Sequence, residues 1–226
     1  MNDGIKYLMI GNTRWHWAIK ESNQWRFEHT TPNNTNLMIN KAQYIKWASV
    51  GELPINHYLN LSNQIKIEDV PLKNKPSWLG IDRALGAWGA INKAKKIGEF
   101  SEGIILADAG TVLSLTLIDA SEAFIGGQLT SGLSLNLEAM AKGTKNLKDP
   151  GLIEKMPVMA PFKTNEAMQR GALQSLIGVL TEAQMNFQMP IWLCGGDSHL
   201  IIKALNERKL NVKHHPNLVL EGMTLL

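Results

Sequence analysis

GIILADAGTVLSLTLIDASEAFIGGQLTSG, residues 103–132, is the stretch whose reading decides the fold. An apolar run from Ile104 to Ala107 is bounded by Gly103 and stops at Asp108-Ala109-Gly110-Thr111. A second run, 112–118, interleaves Ser114 and Thr116 with Val and Leu, and Ala123-Phe124-Ile125 opens a third before Gly126-Gly127. Apolar, β-branched runs separated by Gly and Asp predict three consecutive antiparallel strands. The first turn carries one carboxylate and one hydroxyl. Gly110 has no side chain and can adopt positive φ, so backbone N–H groups there can approach an anion. Asp108 ends a strand that reads as buried, where a carboxylate is costly unless it meets a cation. Phosphate together with a metal or a monovalent cation would satisfy both. Asp and Gly are also ordinary residues of hairpin turns, so the turn alone leaves both readings open.

The N-terminal segment repeats the pattern. Residues 7–10, 15–20 and 24–30 read as strands, with Gly11-Asn12-Thr13 in the first turn. A helix is expected over 33–43, with Asn34 or Thr35 as N-cap, then a strand over 44–50, a short helix over 54–61 and a strand over 64–70. Past a Lys-, Asn- and Pro-containing loop, composition turns helical over 78–96, and 98–101 reads as a hinge. Beyond Gly132 the sequence predicts a helix over 133–141 and a long helix to Phe187 with Thr164 as N-cap. A buried strand follows over 191–194, then Gly195-Gly196-Asp197 and a helix over 198–207; Asp197 suits an N-cap or a ligand contact equally. Each half reads β-β-β-α-β-α, an internal duplication. The expected architecture is therefore α/β, with one half over 1–98 and the other over 99–226. Two facing halves would set both glycine turns and Gly195-Gly196 around one nucleotide cleft.

Composition narrows the class. The 226 residues are 44% hydrophobic and 19% charged, as in a globular protein. Net charge is +3 with Lys and Arg scattered, so no basic stripe points to nucleic acid. A single cysteine, Cys194, excludes an internal disulfide and fits a reducing cytosol. Neither a signal peptide nor an apolar run of membrane-spanning length is expected.

Six motifs occur in the order found in type III pantothenate kinases. They are Gly11-Asn12-Thr13, Gly80-Ile81-Asp82-Arg83, Asp108-Ala109-Gly110-Thr111, Gly126-Gly127, Thr164 with Glu166-Ala167 and Gly171, and Gly195-Gly196-Asp197. The chain resembles that family over essentially its whole length. The resemblance implies the actin-like ATPase fold, two duplicated ribonuclease-H-like halves, of the acetate and sugar kinase, Hsp70 and actin superfamily. It implies transfer of the ATP γ-phosphoryl group to pantothenate, the first step towards coenzyme A, by a cytoplasmic homodimer. Mg²⁺ with ATP and K⁺ or NH₄⁺ are the implied ions.

By the same resemblance, Gly11, Asn12, Thr13 and Arg14 bind ATP together with Thr111. Gly80, Ile81, Asp82 and Arg83 line the pantothenate pocket, with Asp82 as general base. Asp108 holds the monovalent cation, Thr164 contacts pantothenate across the dimer interface, and Gly195-Gly196-Asp197 forms a nucleotide-side turn. Phosphoryl transfer needs positioning, charge neutralisation and a carboxylate beside the accepting hydroxyl. Beside Arg83 at a helix start, Asp82 is expected to stay ionised, and Arg83 can bind a substrate carboxylate through two parallel bonds.

Two positions depart from the family pattern: Met9 stands where Asp is common, and Lys73 where Tyr is common. Two other readings keep the fold: a catalytically degenerate nucleotide-binding relative, and a kinase of another small alcohol. The remaining conspicuous residues read as structural. His214-His215 is expected as a surface pair, Cys194 as a small core residue, and Trp15, Trp17 and Trp78 as packing residues, with Trp78 also able to wall the substrate pocket. Ala167, Ala172, Leu173, Leu176, Ile177 and Leu180 form a helical apolar face, which the resemblance assigns to supporting the dimer.

Overall fold

Strand β1 (Lys6–Ile10) is the pivot of the first of two sheets in the computed structural model. The structure describes residues 5–32, 44–53, 59–151 and 153–226. The helix expected over 33–43, and most of the one over 54–61, lie outside the described residues. β1 pairs antiparallel with β2 (Trp15–Glu21), which pairs antiparallel with β3 (Gln24–Thr30). On its other edge β1 pairs parallel with β4 (Ile45–Ser49), giving the order β3-β2-β1-β4. One face of this sheet buries Leu8, Ile10, Trp15, Trp17, Trp47 and Leu59 as a cluster, so Trp15 and Trp17 do pack.

The second sheet repeats that order and extends it. β5 (Ile104–Ala109) and β6 (Val112–Ile118) are antiparallel, as are β6 and β7 (Phe124–Ser131). β5 also pairs parallel with β8 (Ile191–Cys194), and β8 with β9 (Val212–His214). The order β7-β6-β5-β8-β9 is that of the first sheet with one strand added. The predicted three-strand block, and its counterpart near the N-terminus, both form. The chain is a pair of duplicated ribonuclease-H-like halves, the actin-like ATPase architecture.

The strand expected over 64–70 does not form. Only Gln64 bridges Trp47, and Ile67–Asp69 is a 3₁₀ turn. The Asp69 carboxylate accepts the Lys66 N–H at 2.7 Å, a local bond that competes with a ladder. Pro71 follows and has no donor to offer. What would be a fifth strand in the first sheet is thereby reduced to a bridge.

Four of the helices attach to the candidate residues or to the core. α1 (Ile81–Lys96) follows Gly80; α2 (Leu133–Gly143) follows Gly132; α3 spans Thr164–Phe187; α4 spans Ser198–Glu207. Lys163, not Thr164, occupies the N-cap position of α3, and it makes no side-chain cap bond. Thr164 is the first helical residue instead. The apolar face of α3 is also used differently from the expectation. Ala172, Leu173, Leu176, Ile177 and Leu180 fill the core with Ile105, Ala107, Leu113, Leu115 and Leu117 of the sheet. Residues spent on that core cannot form a dimer face, and Ala167 is exposed and outside it.

The chain forms two compact units, Met1–Ile97 with Asn217–Leu226, and Gly98–Pro216. The last ten residues, expected with the second half, thus belong with the first. They carry α5 (Leu218–Met223), which packs on α1. Glycine makes that possible: a Cβ on Gly89 would lie 2.4 Å from the Leu218 carbonyl oxygen, and one on Gly222 1.9 Å from that of Leu85. Among the described residues no helix is long and apolar enough to cross a membrane.

Candidate active site

Both glycine turns sit where a central strand ends beside a parallel neighbour, the place where open α/β sheets bind ligands. In the first unit β1 and β4 end together, with Ile10 opposite Ser49. The turn of residues 11–14 closes by Gly11 N–H donating to the Arg14 carbonyl at 3.0 Å. Asn12, Thr13 and Arg14 are exposed at its tip. Val50 and Gly51 N–H groups reach back to the Ile10 carbonyl at 3.0 and 3.3 Å. A Cβ on Gly51 would lie 2.5 Å from the Gly11 carbonyl oxygen, so the two strand ends touch backbone to backbone.

The second unit has the same construction. β5 and β8 end together with Asp108 opposite Cys194, and Asp197 N–H donates to the Ala109 carbonyl at 2.9 Å. Gly195 takes φ +91°, and a Cβ there would lie 2.4 Å from Asp108 Oδ1 and 2.5 Å from the Ala109 carbonyl oxygen. The half-buried Asp108 is therefore brought against both the 110–111 turn and the 195–196 turn. The donors gathered there are a carboxylate and backbone carbonyls. Thr111 is exposed beside them. Gly110 is not in the left-handed region, and the nearest atom to a Cβ there would be 3.8 Å away. The positive φ that Gly110 could adopt is found instead at Gly195.

Gly80, Ile81, Asp82 and Arg83 form the head of α1, with Gly80 as N-cap and Ile81 buried beneath. Asp82 Oδ1 accepts the Arg83 backbone N–H at 2.8 Å. Asp82 keeps some exposed surface, yet packing around its carboxyl pushes its pKa up, against the opposing pull of the Arg83 amide and guanidinium. Desolvation dominates, so Asp82 is more basic than an ordinary carboxylate. A raised pKa suits a proton acceptor. Trp78, two residues before this segment, is 71% exposed and not part of the core.

Thr164 is exposed at the start of α3. The segment before it is tied down by the buried Arg170, which donates to the Pro157 carbonyl at 3.2 Å and to Gln174 Oε1 at 3.0 Å. Asp197 occupies the N-cap position of α4 without capping through its side chain. His214 and His215 are not a surface pair. His214 Nε2 meets Ser198 Oγ at 2.9 Å, and His215 stacks on Trp192 with ring centroids 5.2 Å apart. Cys194 is buried, as expected. A surface depression lined by Glu21, Ser22, Asn23, Gln24, Trp25 and Arg26 sits at the opposite end of β2 from the 11–14 turn and contains none of the candidates. Sequence reasoning missed Gly51, Arg170 and a His16–His29 contact. Gly51 alone left a signal, a glycine just after a predicted strand.

The sequence profile of the type III pantothenate kinase family matches residues 56–185. A type III pantothenate kinase from Thermosynechococcus vestitus is 34% identical over 209 residues, 88% of this chain and 79% of that protein. Among solved structures, a conserved Baf family protein from Campylobacter jejuni superposes with TM-score 0.61 at 18% identity, covering 97% of this chain and 95% of that one. The activator of 2-hydroxyisocaproyl-CoA dehydratase from Clostridium difficile, solved with bound ADPNP, gives 0.56 at 11% identity, covering 97% and 91%. The structural likenesses support the fold, and the profile and sequence likeness the lineage: this chain belongs to the type III pantothenate kinase family.

Proposed function

We infer that this chain is an ATP-dependent pantothenate kinase. The observation that carries this reading, within that family, is Asp82 at the head of α1 with its pKa raised by burial and Arg83 beside it. In this reading Arg83 holds the pantothenate carboxylate, and Gly80 and Ile81 shape the pocket around it. Asp82 takes the proton of the accepting hydroxyl as that oxygen bonds to the γ-phosphorus. The bond from phosphorus to the β–γ bridging oxygen breaks, and ADP leaves with the electron pair. Gly11, Asn12, Thr13, Arg14 and Thr111 bind the ATP phosphates, and Thr164 contacts pantothenate. ADP release should depend on pantothenate; release that ignores pantothenate but follows a sugar would reject this acceptor.

The carboxylate and carbonyl donors around Asp108 suit a hard monovalent cation, K⁺ or NH₄⁺, which would neutralise phosphate charge. The same assay should therefore run well in K⁺ or NH₄⁺ and poorly in Na⁺, and Asp108→Ala should lose both the dependence and most activity. Equal rates in all three salts would reject the site. Among the described residues no three His, Cys, Asp or Glu gather to hold a metal, and Met9 is buried in β1. Mg²⁺ keeps several waters and takes few protein ligands, so it fits a role of arriving with ATP.

A cytoplasmic homodimer completes the reading. Its support is the segment leading into Thr164, which exposes Val158, Met159 and Phe162, apolar surface that a second copy would cover. Light scattering should give twice the chain mass; a fully active monomer would overturn it.

A further inference from the structure

Lys75 lies in the loop that leads to the head of α1 and has no part in the roles above. Asn74 before it takes φ +51°, a left-handed turn that Asn tolerates. Lys75 reaches back over the chain just upstream. Its Nζ donates to the Val70 carbonyl at 2.5 Å, with the Leu72 and Glu68 carbonyl oxygens at 3.4 and 3.5 Å. An ammonium has three donors and no acceptor, so three carbonyls match it as ligands match an ion. Those carbonyls are held in place independently. Val70 and Leu72 are buried, and Ile67–Asp69 is closed as a 3₁₀ turn by the Asp69 carboxylate. A short series of contacts then runs from Lys75 to Asp82. Pro76 accepts the Leu79 N–H at 3.0 Å, and Leu79 is buried. Gly80 follows as N-cap and accepts the Ala84 N–H at 3.1 Å. The Asp82 carboxylate rests against that glycine: a Cβ on Gly80 would lie 2.5 Å from Asp82 Oδ1. A shift of Gly80 therefore moves the carboxylate.

We propose that Lys75 is a positioning residue for the acceptor site, a built-in cation whose carbonyl ligands fold the 68–75 loop and so fix Gly80 and Asp82. The inference deepens the reading of Asp82 as general base and rests on it. Bonds donated by an ammonium are among the stronger hydrogen bonds, and Lys75 is half-buried, where they gain further from the lower dielectric. Without the ammonium, three carbonyls face one another with no donor between them, and the loop must open. Pro76 and Leu79 then lose their anchor, and the carboxylate moves from the place where it meets the accepting hydroxyl. A misplacement of about 1 Å can cost a reaction on the order of 10²-fold.

The test is chemical rescue of the full chain. Lys75→Ala should lower kcat/KM for pantothenate by about 10- to 100-fold, the loss of hydrogen bonds from a charged group, and leave KM for Mg·ATP within about twofold. Propylammonium, the side chain removed, should restore about fivefold or more in saturating K⁺. Lys75→Met, whose stem still fills the channel, should lose as much and gain nothing from the amine. In an Asp82→Asn background Lys75→Ala should cost under about threefold, since the residue it positions is already gone. Hydrogen exchange supplies a readout that needs no substrate. The Arg83 and Ala84 amides should exchange about tenfold faster in Lys75→Ala and recover with propylammonium. A kcat/KM within about threefold of wild type, an equal loss for Mg·ATP, no rescue, or unchanged exchange overturns the proposal. If Lys75→Ala does not fold, Lys75→Gln takes its place in the kinetics and the exchange, with the same outcomes. A wild-type chain inactive towards pantothenate rejects that acceptor, and the exchange pattern alone then decides the role of Lys75.

Discussion

Replacing Asp82 by Asn should lower kcat by about 10²- to 10⁴-fold, the contribution of a positioned general base, and at the same time raise Tm. Asn keeps the Oδ1 that accepts the Arg83 N–H at 2.8 Å, so the head of α1 stays intact while proton acceptance is lost. The stability half follows from the direction of the pKa. Burial raises the Asp82 pKa above its unfolded value, so the native state binds the proton more tightly than the unfolded chain does. Its contribution to stability is present at low pH and lost as pH rises through the native pKa. At pH 7 the ionised carboxylate is therefore a liability that Asn removes. For wild type, kcat/KM should fall on the acid side with an apparent pKa above the ordinary carboxylate range. Steady-state kinetics and calorimetry at pH 7 check both halves; a kcat loss under about threefold would end the assignment of Asp82.

Gly222→Ala should unfold the chain at a temperature roughly 6–12 °C lower, whereas Gly178→Ala should raise Tm by about 1–4 °C. Both glycines are helical, Gly222 in α5 and Gly178 in α3. Propensity alone favours Ala at either place by about 0.5–1 kcal/mol. A Cβ on Gly178 meets nothing within 4 Å, so that gain is realised. A Cβ on Gly222 would sit 1.9 Å from the Leu85 carbonyl oxygen, 2.8 Å from its carbon and 3.1 Å from the Gly89 nitrogen. All three are backbone atoms of α1, which no rotamer change can move. Two helices must separate, an overpacking penalty of about 3 kcal/mol or more. Thermal melts of the two variants with Tm shifts of the same sign would show that α5 does not dock on α1 through these glycines.

Local chemistry made much of this protein legible in its sequence. Runs such as Ile104 to Ala107 and 112–118 cannot be anything but buried strands once Gly and Asp interrupt them, and the matching block from Tyr7 to Thr30 revealed the duplication. The motifs Gly11-Asn12-Thr13, Gly80-Ile81-Asp82-Arg83 and Asp108-Ala109-Gly110-Thr111 announced the family, because each is a short contiguous word. Tertiary structure decided whatever depends on partners distant in sequence. Residues 64–70 alternate well enough for a strand, but Asp69 bonding to Lys66 wins over the ladder. The apolar stripe of α3 looks the same whether it faces a partner or its own sheet, and it faces Leu113, Leu115 and Leu117. Desolvation of Asp82 is a property of what surrounds it, not of its neighbour Arg83. The His16–His29 contact joins residues thirteen positions apart through strand register. Period and composition report which face is apolar; only the packed chain determines what that face, or that charge, meets.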